Sequence, residues 1–464
     1  MSTNKNEIFY TYQDLKAVGE DEQKRIEFIQ SVIVSHKSSS LYKTAVDAQS
    51  YYDGENPTIS NYERYVFDLM GKAHRDMWTA NHKIKSAFFQ LVIDQEVSYL
   101  LSNGINFSDK NTKNKLGINF DETMMDALRS ARIGGVSFGL WNLDHVDIFD
   151  ITEFAPLWDE ETGALMAGIR FWQLDSTKPL MITLYEPDGY TRYAQRNGET
   201  TVHQPKRAYK IHTESSEAMG EQIVDGTNYP TFPIVPLKSD KNMRSALCGK
   251  QATLDALDLS TSQMVNNTSE GALIYWVLKN YDGNDNIDDL EFLRRVKSMK
   301  VVHVDDEGDA VPHTIEAPFD GTQATIDVTL RRLYDDFQCF NSAAVSAGSQ
   351  TATAIQASYT PLDLKCDKIE SQMSVFIKAI MALAGIADDE PKFTRSRIIN
   401  RQEEIQTLIM ADQFFDDEYI TKKALTIFGD IDEFEALQQR KIADEASRFE
   451  GMTDDNNGEQ TEQT

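Results

Sequence analysis

Cysteine is scarce in this chain: among 464 residues there are three, Cys248, Cys339 and Cys366. They stand too far apart for a disulfide framework and form no CxxC metal pair, which favours a reducing compartment. Long apolar runs are missing too, because no window approaches the roughly 18 uninterrupted apolar residues of a membrane helix. The first residues lack the basic stretch and apolar run of a signal peptide. We therefore expect a protein that has no membrane partner and is not exported by a signal peptide.

Positive charge is also in short supply. Lys and Arg total 46 against 74 Asp and Glu, which gives a formal net charge of −28 and a pI of about 4.7. A protein whose main task is to grip nucleic acid needs clustered Lys and Arg. The charge balance therefore argues against a protein that binds nucleic acid tightly, but it allows passing contact with DNA. The hydrophobic content of 41% is typical of a folded chain, and the length allows about three domains.

Common catalytic and cofactor motifs are absent. The chain contains no GxxxxGKS/T, GxGxxG or HExxH pattern, so the sequence offers no motif for a nucleotide site or a zinc site. The start of a calcium loop at Asp282–Asn286 is contradicted by Ile287, where the sharp turn needs Gly, and by Leu293, where Glu should bind the ion. The sequence therefore nominates no catalytic residue, no cofactor and no metal ligand. This weakens the enzyme hypothesis without excluding it.

The first 130 residues are predicted to be mainly helical. Apolar residues recur at helical spacing over Asp21–Ser38, and a second amphipathic stretch runs from about Leu41 to Gly54. A longer helix is predicted from about Thr79 to Leu101, before a turn signal. We expect these helices to form the first part of the fold.

From Gly135 the pattern changes to short runs rich in β-branched and aromatic residues. The runs Val136–Ile151, Ala164–Leu174 and Leu180–Tyr185 are separated by turn signals. Strands joined by short turns pair antiparallel. The sequence therefore predicts an antiparallel β module that ends near Pro230.

The second half returns to helices. Apolar stripes predict helices at about Ser245–Ser269, Thr325–Phe340 and Pro361–Ala384, with a strand at Lys300–Val304. Between the last two helices, Asn341–Thr353 has no charge and almost no bulky side chain. Such composition is typical of a mobile loop.

Two capping boxes near the end of the chain predict shorter helices that start at Asn400 and Asp430. The final stretch, Gly451–Thr464, is polar and acidic. We expect it to be a disordered tail.

One short stretch of this acidic chain is basic, and it supplies Arg294, Arg295, Lys297 and Lys300. A solvated face is the commoner role of such a run, and contact with phosphate or with an acidic partner is the alternative.

A series of segments occurs along the chain in an order that is fairly specific, although each segment alone is weak. They are Tyr51-Tyr52-Asp53-Gly54, Lys83–Gly104, Gly135–Gly163, Phe232–Pro236, Leu254–Asn267, Ile326–Phe340, Ala343–Ala354, Ile355–Ala384 and Phe415–Glu445. Their order resembles the portal proteins, or head-to-tail connectors, of tailed bacteriophages, in the branch typified by siphophages of Gram-positive bacteria. The resemblance covers most of residues 40–450. Departures at Thr351–Ala354 and at Lys238-Ser239-Asp240 affect loop details.

The resemblance implies an α+β fold class, a mainly helical portal fold whose subunits form a ring. The implied parts are a wing at 1–244 (helical 1–130, β-rich 131–237), a first stem helix at 245–270, a clip at 271–322, a second stem helix at 323–342, a tunnel loop at 343–354, a long wing helix at 355–385, a helical crown at 386–450 and a disordered acidic tail at 451–464.

The resemblance further implies a closed ring of about twelve identical subunits at one capsid vertex, through which double-stranded DNA is packaged and ejected. The implied partners are terminase, head-tail adaptor proteins, and the major capsid and scaffolding proteins. The implied location is the virion, preceded by the host cytoplasm during assembly. The basic run at 294–300 would lie in the clip and face acidic partners or exiting DNA.

The tunnel loop is the part expected to touch the DNA. Its neutral side chains could hydrogen-bond phosphates weakly without the positive charge that would pin the duplex. The residues concerned are Ser346, Gly348, Ser349, Gln350 and Thr351. An ordinary solvent-facing connection is the alternative for this loop.

Two other functions compete with the portal hypothesis. One is a capsid assembly or scaffold-type structural protein without a channel, and the other is an intracellular enzyme with unrecognised site residues. A ring with a central hole in negative-stain images would separate the portal from both, and turnover assays address the second.

Overall fold

The computed structural model describes most of the chain. The described residues are 8–67, 71–77, 79–216, 220–271, 275–279, 309–313, 319–343, 352–396, 408, 410, 413–428, 433–434 and 436–442. The chain divides into two compact units, the first made of Met1–Ser342 with Ser358–Ser396 and the second of Ala343–Ala357 with Arg397–Thr464. The packing that follows lies within the first unit.

Helices dominate the N-terminal part, as predicted. Their bounds are α1 Tyr12–Val18, α2 Glu22–Ser38, α3 Ser40–Tyr52, α4 Pro57–Ser60, α5 Phe88–Leu101, α6 Lys110–Lys115 and α7 Phe120–Gly134. The predicted first helix is confirmed as α2, where the Asp21 side chain accepts a hydrogen bond from the backbone N–H of Lys24 and caps the helix. The predicted second helix is confirmed as α3, which stops before the left-handed Gly54.

The predicted helix from Thr79 to Leu101 is wrong in its first part. Residues 81–87 form neither helix nor strand, and α5 begins only at Phe88. Ile84 falls on the apolar stripe of the helix that follows, which is why the periodicity is misleading here. Side chains of another helix hold this segment extended, as described below.

The antiparallel β module predicted after Gly135 is confirmed. The strands up to this point and through the module are β1 Tyr65–Phe67, β2 Ala73–Arg75, β3 Ile105–Asn106, β4 Val136–Asn142, β5 His145–Asp150, β6 Phe154–Trp158, β7 Leu165–Trp172, β8 Leu180–Glu186, β9 Gly189–Arg196, β10 Glu199–Arg207, β11 Lys210–Ser216, β12 Gly220–Thr227 and β13 Ile234–Lys238. One sheet has the order β10-β9-β8-β7-β6 and a second the order β13-β4-β5, while β1-β2 and β11-β12 form separate hairpins. All of these pairs are antiparallel.

Gly135 joins the helical part to the β module. Its φ of +93° lies in the left-handed region, and an added Cβ would lie 2.3 Å from the carbonyl oxygen of Met243. The carbonyl oxygen of Gly135 accepts a hydrogen bond of 2.9 Å from the N–H of Ser239. Glycine is needed at this junction because neither the backbone conformation nor the close approach leaves room for a side chain.

The second half is built on long helices. Its elements are α8 Gln251–Gly271, β14 Tyr275–Lys279, β15 Asp309–His313, α9 Phe319–Phe337, α10 Ala352–Ala384, β16 Lys392–Phe393 and α11 Asp417–Phe428. Helices α8 and α9 pack against each other. Strand β14 pairs antiparallel with β15, and β16 pairs antiparallel with β3.

The helices predicted at Ser245–Ser269 and Thr325–Phe340 are confirmed as α8 and α9 with shifted ends. The predicted start of the third helix at Pro361 is wrong, since Pro361 lies inside α10. Proline lacks an N–H and usually marks a helix start or break, which explains the error. The strand predicted at Lys300–Val304, the helix starts at Asn400 and Asp430 and the acidic tail lie outside the described residues.

One hydrophobic core forms where α2 lies across the five-stranded sheet. Ile29 and Val32 of the helix belong to the same buried cluster as Ile169 and Leu184 of the sheet. Burial of each such side chain contributes about 1.5–3 kcal/mol, so this core fixes α2 on the β module.

A larger core gathers α5, α7 and α10 around the start of α8 and the end of α9. Its buried members include Val92, Leu128, Leu254, Phe337 and Ile377, one from each of these helices. We call the region where these five helices meet the helix junction. Over the part of the chain that the structure describes, no helix combines the length and apolar character required to cross a membrane.

Candidate functional site at the helix junction

Helix α5 places three polar side chains, Gln95, Glu96 and Tyr99, at the helix junction. Glu96 is 0% exposed and lies among the buried apolar residues of the helix. A buried carboxylate needs both charge partners and hydrogen bonds. The partners of these three side chains define the candidate site.

Glu96 forms a buried charge cluster with Arg132 of α7 and Lys365 of α10. Nε of Arg132 lies 2.7 Å from one carboxylate oxygen, and Nζ of Lys365 pairs with the other. Arg132 also donates to the hydroxyl of Ser239 at 2.7 Å, and Lys365 donates to the carbonyl oxygen of Phe337 at 2.5 Å. Because Phe337 is the last residue of α9, this charge cluster ties α5, α7, α9 and α10 together.

The charge cluster keeps Glu96 ionised. Burial alone would raise the pKa of Glu96, but the charges of Arg132 and Lys365 outweigh burial and lower it. Removing one member of a buried ion pair is costly because it leaves an uncompensated charge in a region of low dielectric. The cluster therefore acts as a fixed attachment point for the helices.

Lys250, directly before α8, brings a further cation to this region. Its Nζ donates to the carbonyl oxygen of Ala246 at 3.0 Å and lies 4.5 Å from the ring centroid of Phe337. Burial, together with the charges of Lys365 and Arg132, lowers the pKa of Lys250 to about 8. The helix junction thus holds more positive than negative charge.

The chain is held firmly on both sides of residues 341–358. The Gln95 side chain donates to the carbonyl oxygen of Phe340 at 3.0 Å and accepts from its N–H at 2.8 Å. The Phe340 ring stacks on Tyr359 with centroids 4.1 Å apart, and Tyr359 stacks on Tyr99 with centroids 5.7 Å apart. We call Gln95, Tyr99, Phe340 and Tyr359 the aromatic clamp. It sets the position from which the chain leaves α9 and returns in α10.

A second set of polar contacts attaches α10 to Tyr99 of the aromatic clamp and to Arg395. The Tyr99 hydroxyl donates to Asp363 at 2.7 Å. Arg395, which follows β16, lies 2.8 Å from Asp363 and 3.1 Å from Glu370, and it also pairs with Asp367. Burial opposes the charged form of Arg395, but these carboxylates outweigh burial and raise its pKa. The C-terminal side of the first unit is thereby fastened to α10.

Helix α8 is held along its length by a row of hydrogen bonds that we call the polar ladder. Side chains four residues apart on α8 accept from alternate N–H groups of the extended segment. The pairs are Asp258 with Ser86 (3.1 Å), Ser262 with Ile84 (2.9 Å) and Asn266 with His82 (2.7 Å). Four helical residues rise about 6 Å and two extended residues about 6.6 Å. The two segments therefore run in opposite directions with matched spacing.

The polar ladder is partly buried. Burial raises the pKa of Asp258, whose second oxygen accepts a hydrogen bond of 2.9 Å from the Asn56 side chain. Asn56 also donates to Asp255 at 3.0 Å, and the Tyr51 hydroxyl donates to the same carboxylate at 2.5 Å. Helix α8 is thus held in place by both the end of α3 and the extended segment.

The two thiols near the helix junction are unreactive. Cys339 and Cys366 are buried, and burial raises the pKa values of their thiols to about 11 and about 12. Thiols need the thiolate form to react, so both are inert at neutral pH. Cys248 is exposed. Within the described ranges, no group of three or more His, Cys, Asp or Glu residues could hold a metal ion.

The residues nominated from the sequence are all outside the described part of the chain. They are Ser346, Gly348, Ser349, Gln350 and Thr351, predicted for a tunnel loop, and Arg294, Arg295, Lys297 and Lys300, predicted for a basic cluster in a clip. What the structure describes is the anchoring on either side of residues 341–358, in the aromatic clamp.

Sequence reasoning misses the charge cluster and the aromatic clamp. A signal was present for the first, because Glu96 and Lys365 each stand at a core position of an apolar helix, where a charge needs a buried partner. Gln95 and Tyr359 carry no comparable signal. Their meeting depends on packing between residues far apart in the chain.

Comparison with known proteins agrees with the order of segments. The phage portal protein family described as SPP1 Gp6-like matches residues 33–447. The portal protein of Bacillus phage SPP1 is 25% identical over 422 residues, which cover 82% of this chain and 79% of that protein. The portal protein of Clostridium phage phiCD119 is 21% identical over 437 residues, which cover 87% of this chain and 95% of that protein.

Among solved structures, a chain from the neck of a native GTA particle computed with C12 symmetry is similar with a TM-score of 0.38 and 12% identity, over 82% of this chain and 97% of its own length. The family match spans most of the sequence and confirms the resemblance. This chain therefore belongs to the SPP1 Gp6-like family of phage portal proteins.

Proposed function

We propose that this chain is the subunit of a portal ring at the capsid vertex, through which genomic DNA is packaged and ejected. The family match over residues 33–447 carries the proposal. The proposed ring has about twelve copies, as a closed cyclic assembly. Its further partners are double-stranded DNA in transit, terminase, head-tail adaptors, and the major capsid and scaffolding proteins. The proposed sites of action are the virion and, during assembly, the host cytoplasm.

The proposal assigns the elements to portal parts. Residues 1–244 form the wing, α8 and α9 are the stem helices, and α10 is the long wing helix. The remaining parts are the clip at 271–322, the tunnel loop at 343–354, the crown at 386–450 and the acidic tail at 451–464.

The helix junction supports the stem assignment. Lys250 precedes α8 and Phe337 ends α9, and both lie beside the charge cluster. Helix α8 therefore leaves the junction and α9 returns to it. The charge cluster and polar ladder fasten this helix pair to the wing, so a force along the stem is transmitted to the wing through fixed contacts.

The aromatic clamp supports the tunnel-loop assignment. It fixes Phe340 and Tyr359 against α5, so the wing core determines where the loop between them starts and ends. In a ring, this would present one loop per subunit at a common height along the channel. The neutral residues 346–351 would then meet DNA with weak contacts.

The charge of the chain supports a conduit. The formal net charge is −28, and DNA carries one negative charge per about 1.7 Å of helix axis. Repulsion between the two prevents the wall from holding the duplex. DNA can then slide under the force of a motor.

Electron microscopy and native mass measurement of the purified protein test the ring. We expect rings with a central hole at micromolar concentrations. A preparation that stays monomeric would contradict the proposal, and closed particles without a channel would favour the scaffold alternative.

A bulky charged pair tests the tunnel loop. We expect Ser349→Lys with Gln350→Lys to leave rings intact and to slow or abolish DNA packaging, because added positive charge pins the duplex. The matched control places the same pair in the acidic tail, as Asn456→Lys with Asn457→Lys. Normal packaging by the loop variant would refute the assignment.

Charge reversal tests the clip. Changing Arg294, Arg295, Lys297 and Lys300 to Glu should leave rings intact and weaken adaptor binding or packaging. If both stay normal, the basic cluster is only a solvated face.

We also propose that the isolated protein does not hydrolyse ATP, so that a separate motor supplies the packaging energy. Hydrolysis abolished by a point mutation in this chain would overturn that.

A further inference from the structure

The tip of the β4–β5 hairpin exposes an apolar side chain on a strained backbone. Leu143 is 55% exposed and has a φ of +63°. This left-handed conformation suits Gly, Asn or Asp, and leucine adopts it only under constraint. The Leu143 N–H donates to the Tyr229 hydroxyl at 3.0 Å, which helps to hold the turn.

A second exposed apolar residue lies in the loop beside this tip. Ile118 is fully exposed, with a relative exposure of 103%. Its neighbour Gly117 touches the hairpin, since an added Cβ there would lie 3.2 Å from the carbonyl oxygen of Asp144 and 3.4 Å from Cβ of His145. We call Ile118 and Leu143 the apolar knob. Ile118 gains no burial within the subunit and Leu143 gains only partial burial. Backbone strain with so little local benefit points to a functional contact.

A groove of about 670 Å³ runs along the exposed side of α2. It is lined by the apolar side chains of Ile8, Tyr10 and Val34 and by the polar side chains of Glu27, Gln30, Ser31, Ser35 and Ser38. Ile8 and Val34 are each 69% exposed. We call this surface the α2 groove. It has room for two aliphatic side chains.

The knob and the groove lie at opposite ends of β5. The knob is at the turn before His145, whereas His36 of α2 shares a hydrogen bond of 2.7 Å with the carbonyl oxygen of Ile151, just past the other end of the strand. A strand of six residues spans about 20 Å. The knob of a subunit is therefore remote from its own groove, and it is free to meet the groove of another copy.

We propose that the apolar knob of one copy inserts into the α2 groove of the next copy. This inference rests on the proposed ring, and it names the surfaces that join neighbours. A heterologous interface joins two different surfaces, and the knob and the groove are two such surfaces at opposite ends of β5. Heterologous interfaces form rings when the rotation between neighbouring copies closes. The strained turn then stabilises the assembly rather than the subunit.

Thiol cross-linking between separately purified variants tests the contact. Leu143→Cys and Val34→Cys are each made in full-length protein carrying Cys248→Ser, which removes the exposed native thiol. With a short bis-maleimide, we expect the mixture to give cross-linked dimers and each variant alone to give none. A chain that carries both cysteines should give a ladder of oligomers.

The outcomes separate this inference from the proposed function. Cross-linking by Leu143→Cys alone would show a symmetric contact and overturn the inference. A mixture that forms rings in electron micrographs but does not cross-link would also overturn the inference. That result is expected if other faces join the subunits, or if residues 1–7 cover the groove. If the wild type forms no ring at all, the proposed function itself fails.

A conservative variant separates folding from assembly. Leu143→Asn removes the apolar side chain, and asparagine tolerates a positive φ, so the thermal stability of the subunit should be maintained or increased. The concentration needed for ring formation should rise about tenfold or more, because a central apolar anchor is lost. The matched control is Leu174→Asn, at a turn where the leucine is 83% exposed. Assembly of Leu143→Asn at the wild-type concentration would refute the proposal.

Discussion

Glu96 shows how one side chain can organise several helices. Its carboxylate faces Arg132 and Lys365 directly, and Lys250 lies nearby. Three cations around one anion leave positive charge in a poorly solvated region, so the loss of the anion has a larger effect than the loss of any one cation. This asymmetry gives two predictions at the scale of single residues.

The first prediction concerns the carboxylate. Glu96→Gln should lower the free energy of unfolding by about 3–5 kcal/mol, because Arg132 and Lys365 lose their buried counter-charge. Urea unfolding followed by circular dichroism measures it. The control is Glu390→Gln, which removes a pair of 3.2 Å with Lys378 on the surface and should cost less than about 1 kcal/mol. Equal losses in the two variants would contradict the proposed role of the charge cluster.

The second prediction concerns Lys250. Its pKa of about 8 in the folded protein lies below the ordinary value of 10.5, so the unfolded chain binds more protons between these pH values. Stability should therefore rise as the pH increases from about 8 to 10.5. Lys250→Met should be more stable than the wild type at pH 7, by about 1 kcal/mol since the side chain is partly exposed. It should also lack this part of the pH dependence in melting curves, and a slope equal to that of the wild type would contradict the assignment.

At the scale of elements, the polar ladder explains why a stretch with helical periodicity is extended. Three alternate N–H groups of residues 82–86 donate hydrogen bonds to side chains of α8. A helix would point those groups along its own axis and leave the α8 side chains unpaired. The cost of such unpaired buried groups decides the conformation.

Ser262→Ala tests the ladder. The substitution leaves the N–H of Ile84 without its acceptor, which should cost about 1–2 kcal/mol. Amide hydrogen exchange at residues 82–86 should become faster, while exchange in the five-stranded sheet stays unchanged. Thr268→Ala is the control, because the Thr268 hydroxyl donates to the Met264 carbonyl oxygen of its own helix. Unchanged exchange at Ile84 would show that the ladder does not hold the segment.

The extent to which the sequence predicts this protein varies with the range of the contacts. Helix α2 and the strands after Gly135 follow from local periodicity and turn residues, so they were predictable. The extended segment, the start of α10 before Pro361 and the aromatic clamp depend on residues distant in the chain. Gln95 and Phe340, for example, are separated by 245 positions. Only a pattern of segments that resembles known portals could bridge such distances.

At the scale of the whole molecule, the charge balance sets the interaction with DNA. The formal net charge of −28 predicts that duplex DNA binds more weakly than the roughly 10⁻⁴ M limit of ordinary non-specific binding at physiological salt. Fluorescence anisotropy with a labelled duplex measures this. Tight binding that falls steeply with salt would contradict a sliding contact and indicate a basic surface formed in the assembly.

The burial of two of the three thiols has a practical consequence for counting subunits. Cys339 and Cys366 are buried and have raised pKa values, whereas Cys248 is exposed. A maleimide dye at neutral pH should therefore attach once per chain, at Cys248. Single-molecule photobleaching of fully labelled particles would then show one step per copy, so the natural sequence already contains the reporter that gives the stoichiometry of the assembly.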